Sequence, residues 1–164
     1  MFKKIAVWIP VIVLACFIFG FSAQDGVASG GLSRKVAAFL VDMADATGWV
    51  DVAESERDSV IESIQYPVRK LAHMSEYALL TVLTYIALAV DGISKGKRWW
   101  LALLGAILFA CTDEFHQLFV PGRAGMITDV LIDSVGCIIG VLMCITTVSI
   151  KSKFMLDRKH NSVL

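Results

Sequence analysis

The chain has 164 residues, 57% of them apolar, and a mean hydropathy of +0.70, above the roughly 45–50% apolar share of an ordinary soluble domain. Its length supports one domain, and nothing in the composition divides it into two. Fifteen Lys and Arg balance fifteen Asp and Glu, so no basic excess points to nucleic acid and no such partner is expected.

Four apolar stretches follow in chain order: Ile5–Ser22, Leu71–Val90, Trp99–Leu118 and Ile127–Ile150. A helix rises 1.5 Å per residue, so about 20 residues cover a hydrocarbon core of roughly 30 Å, and each stretch is long enough to cross. The expected fold is therefore all-α and polytopic, with four transmembrane helices in a domain spanning 1–150 and a basic tail at 151–164. Lys3-Lys4 before the first stretch resembles the start of a signal peptide, and Leu14-Ala15-Cys16 resembles a lipoprotein cleavage pattern. Phe21-Ser22-Ala23 is a poor cleavage site, however, and the apolar run continues through Phe17, Ile18 and Phe19, so an uncleaved first helix is expected.

Residues 23–70 form the one sizeable segment outside these stretches. Gln24–Gly31, rich in Gly and Ser, reads as a turn or linker. Leu32, Val36, Phe39, Leu40 and Met43 then recur at helical spacing, with Arg34, Lys35, Asp42 and Asp45 interspersed. That pattern predicts an amphipathic helix on the membrane face or packed on the bundle, ended by Gly48. A second helix is expected from about Val52 to Tyr66, and Pro67 should break or restart the chain before the second span.

The basic residues choose an orientation. Lys3, Lys4, Lys95, Lys97, Arg98, Lys151, Lys153, Arg158 and Lys159 fall on one side if four spans alternate. The positive-inside rule makes that side cytoplasmic, with both termini on it and the 23–70 loop outside. Trp99 and Trp100 fit an interfacial belt. The four cysteines, Cys16, Cys111, Cys137 and Cys144, all lie in apolar stretches without C-x-x-C spacing. They read as buried small hydrophobes rather than as disulfide or zinc-thiolate residues.

Ionisable residues crowd the ends of three spans. In the second, Lys70, His73 and Tyr77 share a helical face, with Glu76 beside His73. The third ends Asp113-Glu114-Phe115-His116-Gln117, and Asp113 and Gln117 share a face. In the fourth, Asp129 and Asp133 share a stripe with Gly136 and Gly140, a small-x-x-x-small spacing that lets a neighbouring helix approach closely. Alternating spans bring these groups to one depth, facing the bundle interior, because charge facing hydrocarbon costs several kcal/mol per group.

Glu76, Asp113, Asp129 and Asp133 cannot all ionise together unless cations offset them, and Lys70, His73, Arg123 or a divalent metal could do so. His73 with Glu76 forms a candidate acid/base pair. Arg123, in the glycine-flanked turn Pro121–Gly125, could offer a guanidinium fork to a phosphate or carboxylate. If a metal binds, candidate ligands are His73, Glu76, Asp113, Asp129 and Asp133, a set suited to Mn, Mg, Ca or Zn. The residues thus read as catalytic candidates are His73, Glu76, Asp113 and Asp133. Those read as ligand-binding are Lys70, Glu114, Gln117, Arg123 and Asp129.

The stretch Arg69-Lys70-Leu71-Ala72-His73-Met74-Ser75-Glu76-Tyr77, together with Asp113-Glu114 through Pro121-Gly122-Arg123 to Asp129, Asp133 and Gly136, resembles the VanZ-like family of small bacterial membrane proteins. The resemblance covers about residues 4–150. It implies a four-helix membrane organisation and an association with resistance to glycopeptide antibiotics, chiefly teicoplanin.

The favoured reading is an envelope membrane protein with a polar pocket facing the outer leaflet. That pocket would bind an anionic or lipid-linked ligand, such as a lipid-linked cell-wall intermediate or a lipidated glycopeptide. A membrane-embedded hydrolase of an envelope lipid, metal-assisted or acid/base, is the alternative, although no nucleophile motif, P-loop or H-E-x-x-H is present. A small cation- or proton-coupled transporter is the third reading, against which the lack of a repeat argues.

Overall fold

A computed structural model describes residues 2–161, with the side chains of residue 3 and residues 150–161 outside that description. Five α-helices follow in order: α1 Phe2–Ser22, α2 Gly26–Ala46, α3 Arg57–Val90, α4 Lys95–Gln117 and α5 Ile127–Asn161. No strand occurs among the described residues. The chain is all-helical, as the apolar periodicity predicted. The backbone of the expected 151–164 tail continues α5 to Asn161, and residues 162–164 lie outside the described residues.

Among the described residues, three helices are long and apolar enough to cross a membrane, with spans within Lys4–Ser22, Arg57–Val90 and Ile127–Ser149. The third expected span, in α4, does not meet that standard. Lys95, Lys97 and Arg98 at its start and Asp113, Glu114, His116 and Gln117 at its end dilute the apolar run between them.

The 23–70 segment differs from expectation at two places. First, Gln24–Gly31 is not a linker, because α2 begins at Gly26. The Asp25 carboxylate accepts from the Ala28 backbone N–H and caps the helix, supplying an acceptor to an otherwise unpaired amide. Second, Pro67 neither breaks nor restarts the chain. It sits inside α3, a single helix of 34 residues, about 51 Å long at the standard rise. Pro67 and Ser63 are both exposed, so the carbonyl deprived of its i+4 donor lies at the surface rather than in the core, where the loss would cost more. The Gly48 stop is found, at φ +72°.

The α2 helix folds back on the first half of α3 as a hairpin. Ala37 and Val41 bury against Ile61, while Arg34 pairs with Asp58 and Arg57 with Asp42 along the rim. Farther along, α3 packs against α1, α4 and α5 and forms the centre of the bundle. Its seam with α5 is built from small residues. A Cβ at Gly136 would collide with the Met74 carbonyl, and one at Gly140 with the carbonyl of Ala78, so the predicted glycine stripe faces α3. Ala102, Ala106 and Ala110 give α4 a second buried stripe at four-residue spacing, where short side chains allow close van der Waals packing between helices.

Around this interior the bundle is clad in exposed apolar side chains, among them Ile9, Phe17, Leu104, Leu108, Leu131 and Leu142. Such a surface suits hydrocarbon, since contiguous apolar patches of this extent are rare on soluble monomers. Cys137 and Cys144 are buried as expected, but Cys16 and Cys111 lie on this outer surface.

Candidate functional site

The polar groups gather where α1 ends, α4 ends, α5 begins and α3 passes its middle. Ser22, the last residue of α1, donates a hydrogen bond of 2.6 Å to Asp113 Oδ2. Gln117 Nε2 reaches Ser22 Oγ at 3.3 Å and Glu114 Oε1 at 3.2 Å, and Glu114 Oε2 accepts from the Met126 backbone N–H at 3.0 Å. Ser22, Asp113, Glu114 and Gln117 are all buried. The network thus ties α1, α4 and the lead into α5, and it satisfies most of the polar atoms it buries, as a low-dielectric interior requires.

Asp133 is buried deeper on α5, in the neighbourhood of Glu114, Asp113, Asp129 and Lys70. Tyr77, fully buried on α3, has an unpartnered hydroxyl, as does one oxygen of Asp113. A Lys70–Asp129 ion pair at 2.5 Å, with both side chains mostly buried, links α3 to α5. His73 Nδ1 lies 3.8 Å from Glu76 Oε2, too long for a hydrogen bond. The acid/base pair read from their spacing is therefore a near neighbour relation in this geometry. His116 packs its ring on Phe19, 4.3 Å between centroids.

The Pro121–Gly122–Arg123 turn is positioned by backbone contact with α2. Gly26 N–H donates to the Pro121 carbonyl at 3.2 Å, and a Cβ on Gly26 would collide with the Gly122 carbonyl. Gly122 itself adopts φ +71°, a left-handed conformation that favours glycine. The turn aims Arg123 at the end of α1, where its guanidinium donates to the Phe21 and Gln24 carbonyls at 3.0 Å each. Part of the fork expected to meet a ligand is thus occupied in capping a helix terminus. Burial lowers the Arg123 pKa from its ordinary value, and the neighbouring Arg69 charge lowers it further.

Two cavities flank this turn. One, of about 200 Å³, lies between α2 and α3 and is lined mainly by apolar groups, including Leu32, Val36 and Val68. The other, of about 190 Å³, is bounded by Lys70, Glu114, Gln117 and Asp129. Arg69, His73 and Arg123 line both. Lys70, read from the sequence as a ligand-binding residue, is held by Asp129. Arg69 makes no side-chain hydrogen bond or ion pair among the described residues and rests over the Tyr66 ring at 5.8 Å. Arg69 and Ser22 are the residues that sequence reasoning passed over as site members. The signal for Ser22 was its position at the end of the first span, at the depth of Asp113.

The five candidate metal ligands are not gathered as a ligand set. Among the described residues, no group of three or more His, Cys, Asp or Glu side chains is arranged to hold a metal ion. Glu76 opens on the apolar cavity, Asp129 is engaged by Lys70, and Asp113 is engaged by Ser22.

Neither the curated proteins nor the solved structures include a match to this chain. The family comparison is positive, and it covers both the glycine-lined α3–α5 seam and every site residue named above: the VanZ/LLP1 model matches residues 7–149, and the chain belongs to that family.

Proposed function

We propose that this VanZ-like membrane protein crosses the bacterial cell membrane four times, with both termini in the cytoplasm, and that its polar pocket opens toward the outer leaflet to bind an anionic or lipid-linked ligand. The fourth crossing is α4. Its 23 residues reach about 34 Å, and one face carries Leu101, Leu104 and Leu108 exposed while the opposite face packs through alanines. The orientation follows from the basic residues clustered at the opposite end of the bundle from the pocket.

The observation that carries the ligand reading is Arg69. A partly buried guanidinium without a carboxylate partner lies on a wall shared by two cavities, and an anion there would gain charge-assisted, bidentate hydrogen bonds. Three basic side chains, Arg69, Lys70 and Arg123, face two carboxylates, Glu114 and Asp129, around the polar cavity. Lipidated glycopeptides and lipid-linked wall intermediates carry the required combination of anionic and apolar groups.

The test is binding of octyl phosphate and of a lipidated glycopeptide to the purified protein in zwitterionic nanodiscs. Arg69→Ala should weaken binding at least about tenfold, the scale of one charged hydrogen-bonded contact. Equal binding by Arg69→Ala and the unaltered protein would remove the pocket from consideration. Release of a hydrolysis product from an envelope lipid would replace the binding reading with an enzymatic one.

A further inference from the structure

The two cavities on either side of Arg69, His73 and Arg123 differ in chemistry. On the α2 side the cavity is lined by Leu32, Val36, Val68, Ala72 and Phe21. Gln24, Ser29, Ser33 and Glu76 line it as well, beside the shared Arg69, His73 and Arg123, and its apolar part suits hydrocarbon. On the α5 side the cavity is bounded by Lys70, Glu114, Gln117 and Asp129. There carboxylate and amide oxygens can accept hydrogen bonds from hydroxyl groups, and Lys70 has donors beyond its pair with Asp129. A ligand filling both cavities must cross the cationic wall between them.

We infer that the site accepts an amphiphile in three parts: a hydrocarbon segment between α2 and α3, a phosphate-like anion at Arg69 and Arg123, and a hydroxyl-bearing head group beside Lys70, Glu114 and Asp129. The inference rests on the anion-binding reading above and assigns a separate cavity to each end of the ligand. A free phosphate would use only the wall, and a neutral glycolipid would leave Arg69 unpaired. A phosphodiester joining an alkyl chain to a sugar or polyol satisfies every surface at once. Phe39 and Met43 share an exposed face of α2 with Leu32 and Val36, which offers an apolar surface to a chain longer than the cavity.

The experiment measures binding to full-length protein in zwitterionic nanodiscs, with Arg69→Ala as the baseline for partition into lipid. The probes are inorganic phosphate, alkyl phosphates from butyl to octyl, and octyl glucosyl phosphate. Affinity should rise by up to about fourfold for each methylene buried and level off once the cavity is filled. The glucosyl diester should bind at least about fivefold tighter than octyl phosphate.

Val36→Trp, filling the apolar cavity, should flatten the chain-length series and bring the alkyl phosphates toward the affinity of inorganic phosphate. Ala124→Trp, at an exposed position on the polar cavity, should erase the glucosyl preference, so that the diester and octyl phosphate bind alike. A wild-type series indifferent to chain length, or a glucosyl diester no tighter than the plain phosphate, overturns the three-part assignment even if both variants misfold. Absence of any Arg69-dependent binding overturns the anion reading itself, a different and distinguishable result.

Discussion

Individual polar atoms at this site differ sharply in how well they are satisfied, and that difference sets the expected response to substitution. Ser22 Oγ donates to Asp113 and accepts from Gln117 inside the bundle. Ser22→Ala should therefore cost about 1–3 kcal/mol, because it leaves a buried carboxylate oxygen short of a donor. Thermal unfolding in detergent would show this as a lowered Tm. Tyr77→Phe removes a buried hydroxyl that lies beside Asp113 without reaching good hydrogen-bond geometry while keeping the ring near Phe109. It should lower the Tm by less than Ser22→Ala, and a fall as large as that of Ser22→Ala would contradict the geometry. Lys70 and Asp129 should behave as a coupled pair. Each single neutralisation strands a mostly buried charge, so Lys70→Met and Asp129→Asn together should cost less than the sum of the two.

Among the helices, the decisive contacts are those made by residues with almost no side chain. Gly136→Leu should separate α5 from α3, because even a Cβ there meets the Met74 carbonyl. A loss of more than about 2 kcal/mol is expected from overpacking alone. Gly105→Ala is the control: nothing lies within 4 Å of its Cβ position, and the helix gains up to about 1 kcal/mol in propensity. Unfolding of the two variants in the same detergent separates close packing from propensity.

The Gly136–Gly140 stripe and its role were legible in the sequence, since four-residue spacing places both on one face with Asp133. The α4 alanine stripe follows the same rule but is hidden by abundance, because alanine in an apolar stretch draws no notice. The unbroken passage of α3 through Pro67 was not legible. Proline reads locally as a breaker, and only the surface position of Ser63 and Pro67 explains its tolerance. Arg69 was obscured for a similar reason: neighbouring basic residues look alike until one of them, Lys70, is paired across to α5.

For the molecule as a whole, the orientation argued from basic residues makes a direct prediction. A cysteine placed at Trp49, 86% exposed at the end of the α2–α3 hairpin, should react with an impermeant maleimide on intact cells. One at Gly92, in the connection between α3 and α4, should react only after permeabilisation. Both measurements use a background lacking Cys16 and Cys111, the two exposed native thiols. Reversed labelling would turn the pocket toward the cytoplasm and remove envelope ligands from the list.

The uninterrupted α3 sets a fixed distance between two parts of the protein. From Arg69 back to Arg57 the helix climbs roughly 18 Å, and the ion pairs of Arg34 and Arg57 brace α2 against that stretch. With Ala37, Val41 and Ile61 buried between its two helices, the hairpin forms a spacer of that height beside the cavities. On the binding reading proposed above, a bulky object resting on the Trp49 end would be held off Arg69 by that height, and the hairpin would sort ligands by size before any binding chemistry begins.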